Sequence, residues 1–212
     1  MRKVARIALT AASRQDLVGA WTRLGFALDP GGNGVTLADG VALAFAATDD
    51  PARRAASVGL SAAPGAPPSL PVDEAAACFH LVEAFPAAPA PDHPNGALRL
   101  SEVAAIAPEP ANHGEYLSAL TGQREMLATS AGLEIRLDGG TSLQVLSPSA
   151  FAFRFGVTPQ ASGFRIAGLV FAVKNARQTE GVLVANKVMS IFQVGRLAAG
   201  DAEGVAVAFE QG

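Results

Sequence analysis

The sequence has a single cysteine, three histidines, one tryptophan and one tyrosine in 212 residues, and only 17% of it is charged. The lone Cys78 excludes an internal disulfide and any cysteine-rich zinc site, and reads as a small buried residue. There is no cluster of lysine and arginine, and the net charge of −3 leaves no electrostatic footprint for a phosphate backbone, so nucleic acid is not an expected partner. No apolar run reaches the roughly 18 residues a membrane span requires. The start, MRKVARIALTAAS, faintly imitates a signal peptide, but Arg6 interrupts an apolar stretch that is already too short. The expectation is a cytoplasmic protein without membrane contact. Also missing are G-x-S-x-G, a phosphate-cradling G-x-x-x-x-G-K and H-E-x-x-H. Gly31, Gly32 and Gly34 do not make a dinucleotide fingerprint, because they follow a helical pattern and precede a strand, the reverse of the order that motif needs.

What is present is apolar and repeated. Half of the residues are hydrophobic, so disorder is not the expected state, and a chain of this length can bury roughly 70–75% of its unfolded surface. Three stretches align: RIALTAASRQDLVGAWTRLGF from Arg6, EVAAIAPEPANHGEYLSALTG from Glu102 and GLVFAVKNARQTEGVLVANKV from Gly168. Each runs from a β-type segment through a polar or proline-bearing break into a helix-period segment. In the first, Ser13 and Asp16 form a capping box, Leu17, Trp21 and Leu24 make one apolar stripe, and Gly25 is placed for a left-handed stop. The second offers Asn112 as cap and Gly122 as stop. The third is weaker and lacks a glycine stop. Short strands follow each helix. The pairs Asp39–Gly40 and Asp138–Gly139 predict hairpins whose central residues both take positive φ. Each copy therefore reads strand–helix–strand–strand–strand, about 45 residues long.

The expected organisation is a first module over 1–47, a proline-rich connector with one strand over 48–97, a second module over 98–147, a connector over 148–163 and a third module over 164–212. In the last connector Phe151, Phe153 and Phe155 alternate like a strand. Ser147–Pro148 and Gly156 frame a short helix instead, and we read a helix with the phenylalanines as packing.

The repeated βαβββ pattern, with LGF or LTG closing the helix and HPNGA at 93–97 leading into a complete module, resembles the glyoxalase/vicinal-oxygen-chelate superfamily and its bacterial glyoxalase-like-domain members. The resemblance implies an α+β fold in which paired modules curve around a cleft. It also implies a position for metal ligands, one at the start of each module's first strand and one on its last strand. Those positions hold Arg6, Glu102 and Gly168, and Ala44, Gln144 and Ala208. Glycine and alanine ligate nothing, and one carboxylate with one amide falls short of the three or four protein ligands typical of zinc or non-haem iron. No metal and no other cofactor is expected.

The candidate site residues are Glu102 as a cleft carboxylate able to act as general base, with Gln144, His93 and Arg6 as ligand-binding groups. His113 is expected to be exposed and Trp21 to be core. Three functions stay open: a metal-free binder of a small organic molecule, an enzyme (lyase, isomerase or dioxygenase) using Glu102, and a scaffold whose cleft is filled by its own Phe and Leu side chains. Superfamily members often dimerise, so a homodimer is compatible with the pattern, although no residue demands one.

Overall fold

Ser13, Ser147 and Asn175 each start a helix by accepting from a backbone amide in the first turn. The computed structural model describes residues 2–50, 54–61, 74–83, 89–159 and 163–212. In chain order it has β1 (Val4–Ala11), α1 (Arg14–Arg23), β2 (Gly34–Thr36), β3 (Ala42–Ala47), β4 (Ala56–Ser61), β5 (Phe79–Val82), β6 (Ala97–Ile106), α2 (Gly114–Thr121), β7 (Leu127–Thr129), β8 (Gly132–Arg136), β9 (Ser142–Leu146), α3 (Pro148–Phe155), β10 (Arg165–Val173), α4 (Ala176–Ala185), β11 (Ile191–Gln193), β12 (Arg196–Asp201) and β13 (Ala206–Gln211). The architecture is α+β, with curved, mixed strand pairing. No helix among the described residues is long and apolar enough to cross a membrane.

The second and third copies are complete βαβββ units. In each, the first strand pairs in parallel with the last, β6 with β9 and β10 with β13. The first copy falls one strand short. Between α1 and β2 the run ALDPGGN closes as a turn, with the Gly32 amide donating to the Asp29 carbonyl at 2.7 Å, so β1 and β3 pair in parallel with only β2 beyond. Among its described residues the connector over 48–97 holds two strands where one was expected. β4 and β5 also pair in parallel, which makes them a reduced copy of the same first-and-last-strand unit. β4 escaped the sequence reading because ASVGLS is short, rich in small residues and broken by Gly59. First strands pair antiparallel across copies, β1 with β4 and β6 with β10, and β4 meets β10 at Ala56–Ile166.

One face of these strands builds the core. Leu17 and Trp21 of α1, Leu117 and Leu120 of α2 and Leu183 of α4 pack on Ile7, Leu43, Val103 and Leu169. Trp21 is fully buried, with its ring centre 5.1 Å from Phe26 and 5.8 Å from both Phe45 and Phe171. It thereby joins the first copy to β10. Gly25 has φ +83°, and a Cβ there would lie 2.7 Å from Val182 of α4, so α1 and α4 approach only over a glycine.

Several local expectations change. Asp39 does not take positive φ; Gly40 does (φ +85°), closing a turn onto Leu37. The α2 helix is capped by His113 behind a 3-10 turn over Pro110–His113, not by the Asn112 side chain. His113 is buried at 4% exposure, edge-on to Phe164 at 4.9 Å. Cys78 is buried as expected, and burial raises its thiol pKa.

Candidate ligand-binding cleft

The other face of β6, β9, β10 and β13 is concave. Register places Glu102 opposite Val170 and Ala104 opposite Gly168 across the copies, while Ala104 pairs with Gln144 and Val170 with Ala208 within them. A pseudo-two-fold therefore relates Glu102 to Gly168 and Gln144 to Ala208. Glu102 reaches this face because of a bulge. The ladder shifts between Leu100 and Glu102, so that Leu100 and Val103 enter the core while Glu102 and Ala104 turn into the cleft. Ser101, the extra residue, ties its hydroxyl to the Val170 carbonyl at 3.1 Å.

A helix lies in that cleft. Ser147 caps α3 by accepting from the Ala150 amide at 3.2 Å, Pro148 opens it, and Gly156 ends it in the left-handed region. Spacing of i, i+4 puts Phe151 and Phe155 on one side, stacked at 4.5 Å and 18°. Both are buried, and they pack with Ala104, Ile106, Val170, Ala206 and Ala208. Their rings rest on Gly168, where a Cβ would lie 2.7 Å from Phe155 and 3.0 Å from Phe151. Phe153 points away and is 66% exposed.

Beyond α3 the cleft stays open at a polar end of about 370 Å³. Four arginines (Arg99, Arg136, Arg154, Arg196) and three glutamates (Glu102, Glu134, Glu210) line it, a surplus of one positive charge. Arg196 of β12 bridges two carboxylates, Glu102 at 2.8 Å and Glu210 at 3.0 Å. Arg154 of α3 approaches Glu102 at 3.6 Å and hydrogen-bonds Gln144, and the Gln144 amide donates to Glu134 at 3.1 Å. Glu102 is only 1% exposed, and its carboxylate is held by Arg196 at 2.8 Å and by Arg154 at 3.6 Å. Burial works to lower the Arg196 pKa, but Glu102 and Glu210 outweigh it and raise the value above that of a free guanidinium. Arg196 stays charged.

The structure brings Glu102 and Gln144 together and places the other two candidates elsewhere. Arg6 lies exposed on β1, in the first half of the chain. His93 does not line the cleft. It is buried, with Nδ1 accepting from the Ala27 amide at 3.1 Å and Nε2 held at 3.1 Å from the Thr36 carbonyl, edge-on to Phe26. Both ring nitrogens serve the backbone, so His93 fastens the connector onto the first copy. Arg154 and Arg196 escaped the sequence reading. One followed phenylalanines read as packing, the other opened a strand in the weakest copy.

A metal does not fit these residues. Gly168 and Ala208 supply no donor, Phe155 covers the space over Gly168, and the Glu102 carboxylate faces two guanidinium groups. Among the described residues no three His, Cys, Asp or Glu side chains gather as a metal site.

No protein-family model and no curated protein sequence matches the chain. Solved structures do. Its fold is similar to that of 2,2′,3-trihydroxybiphenyl 1,2-dioxygenase from Sphingomonas wittichii (12% identity, 100% of this chain and 90% of that one, TM-score 0.58). It is similar also to a mutant of 4-hydroxymandelate synthase from Streptomyces coelicolor (13%, 98% and 91%, TM-score 0.59) and to a catechol 2,3-dioxygenase (12%, 99% and 88%, TM-score 0.54). With parallel first-and-last-strand units repeated along the chain and paired around a cleft, these likenesses show that the chain has the fold of the glyoxalase/vicinal-oxygen-chelate superfamily.

Proposed function

We propose that the protein binds a small organic acid at the arginine-rich end of the cleft between its second and third copies, without a metal ion. The observation that carries this reading is the convergence of Arg154 and Arg196 on Glu102. Guanidinium groups supply there the positive charge that a divalent ion would otherwise bring. A planar guanidinium matches a carboxylate in two hydrogen bonds, and the open end of about 370 Å³ accommodates a compact molecule. The dioxygenases and the synthase among the solved neighbours support a small-molecule cleft as the use of this fold, but fold analogy names no reaction. An enzyme with Glu102 as acid or base is less well supported, because a carboxylate 1% exposed and held by two arginines has no access to a substrate proton.

The test is metal analysis of protein purified without chelator, together with thermal shifts against a panel of aliphatic and aromatic carboxylates. A native-state ligand raises the melting temperature by mass action. We expect metal far below stoichiometry, and a carboxylate-dependent rise that is lost in Arg154→Ala. Near-stoichiometric metal that disappears in Glu102→Ala would overturn the reading.

A further inference from the structure

The cleft has a second open end. The ladder between β6 and β10 is bulged at Ser101 and again at Ala167, and the pseudo-two-fold that relates Glu102 to Gly168 exchanges these two bulges. It also exchanges Arg99 with Arg165, each two residues before its bulge. Because Ser142 pairs with Glu102 and Ala206 with Gly168, Gly140 and Gly204 correspond as well, each in the turn before a last strand. The arginine end described above therefore has a counterpart. It is a recess of about 300 Å³ lined by Arg165 and Ala167 of β10, by Asp201 and Gly204 around the β12–β13 turn, and by Phe151 of α3. The two openings share no lining residue.

The corresponding groups are used differently. Arg99 donates to the Gly140 carbonyl at 3.3 Å. Arg165 makes no such bond. Its Nε is buried without a hydrogen-bond partner, and among the described residues its side chain enters no ion pair. A buried donor left unmatched is costly until something accepts from it. Asp201 commits one carboxylate oxygen to the Gly204 amide at 2.8 Å, which fixes the group; the other oxygen has no partner among the described residues. Arg165 and Asp201 thus line one recess without pairing, and its formal charge is zero, whereas the arginine end carries a surplus of one. The rest of the lining is largely apolar, with Phe151, Val157, Ala167 and Ala206. Opposite charges kept apart beside an apolar lining match a molecule that carries both charges on a hydrocarbon body.

We propose that this recess is a second binding site, for a zwitterion of the amino-acid type with an apolar side chain. The ligand's carboxylate meets Arg165, its ammonium group meets Asp201, and its side chain rests on Phe151. A volume of about 300 Å³ suits a molecule of the size of leucine. The site goes beyond the organic-acid reading above and does not depend on it.

The experiment is isothermal titration calorimetry of the intact chain at neutral pH. The probes are L-leucine and two analogues that each lack one charge, 4-methylpentanoate and 3-methylbutylamine. All three are also titrated into Arg154→Ala, so that a carboxylate bound at the arginine end is not counted. We expect saturable leucine binding that persists in Arg154→Ala. Either analogue binds that variant about tenfold more weakly or worse, since one charge-assisted contact is lost. Asp201→Asn keeps an oxygen for the Gly204 amide and so preserves the turn, yet weakens leucine by a similar factor. Arg165→Met does the same, and thermal melts verify that both variants fold. The proposal is overturned if leucine does not bind, if it binds Arg154→Ala no better than 4-methylpentanoate does, or if Asp201→Asn or Arg165→Met binds it as tightly as the parent. None of these results touches the arginine end, which its own titration with acids decides.

Discussion

Replacing Gly168 by alanine tests whether α3 is an integral part of the cleft. The added Cβ would sit 2.7 Å and 2.9 Å from two atoms of the Phe155 ring and 3.0 Å from Phe151. Two responses compete. The rings shift and the site is overpacked, which costs about 1–3 kcal/mol. Alternatively α3 leaves and both phenylalanines are exposed, which forfeits roughly 1.5–3 kcal/mol for each ring, about 3–6 kcal/mol in all. Strain is the cheaper response, so the helix stays and the protein loses about 1–3 kcal/mol. For a chain of this size that corresponds to a fall of about 2–12 °C in melting temperature. Gly181 in α4 is the matched control. A Cβ there meets nothing within 4 Å, and glycine inside a helix costs about 0.5–1 kcal/mol against alanine, so Gly181→Ala raises stability. The decisive assay is a double-mutant cycle followed by thermal and urea unfolding. Phe155→Ala alone costs about 3–5 kcal/mol through the cavity it leaves, and in that background Gly168→Ala becomes neutral or stabilising. Should Gly168→Ala cost the same with and without the Phe155 ring, the packing described for α3 is wrong.

The ion network gives a ranking. Glu102→Gln leaves Arg196 its second carboxylate, Glu210, and costs about 1–3 kcal/mol in urea unfolding, while Arg196→Met takes the partner from Glu210 and leaves the buried Glu102 only the longer Arg154 contact at 3.6 Å, and costs more, about 3–5 kcal/mol. Removing the cap that starts α3, Ser147→Ala, costs about 0.5–2 kcal/mol. Acid weakens the fold through His93. Its pKa is lowered by burial, only partly offset by the Thr36 carbonyl and by Asp29 and Asp92, so it lies below the unfolded value of about 6.5. Between the two values the unfolded chain holds the extra proton, so His93 contributes fully above about pH 6.5 and its contribution falls as the pH drops. Unfolding free energy measured from pH 7.5 to 5 in a His80→Gln background, where His80 no longer titrates in the same direction, declines less steeply once His93→Gln is added.

The repeat was legible because its signals are local. Ser13, Gly25, Gly122 and the Ser147–Pro148 start of α3 are short-range chemistry, and each is found where the pattern puts it. That Gly168 and Ala208 offer no donor side chain was legible for the same reason. The arginines beside Glu102 were not. Arg154 and Arg196 lie 52 and 94 residues from Glu102 in sequence, and only the sheet register and the seating of α3 bring the three together. The bulge at Ser101 is likewise invisible in LRLSEVAAI, since strict alternation would have put Leu100 and Glu102 on one face. His93 misled because a histidine before a module reads as cleft lining, whereas its two backbone partners, at Ala27 and Thr36, come from a copy more than fifty residues away.

The placement of α3 has a consequence for any molecule seeking the middle of the cleft. The Phe151–Phe155 pair is in effect a covalently tethered ligand, and short flexible tethers set effective concentrations in the millimolar range. A free competitor must displace an occupant that is never diluted and that already buries two aromatic rings over Gly168. The cleft is thus self-saturated at its centre, and a ligand gains free energy by adding to α3 at the arginine end, through Arg154, instead of replacing it.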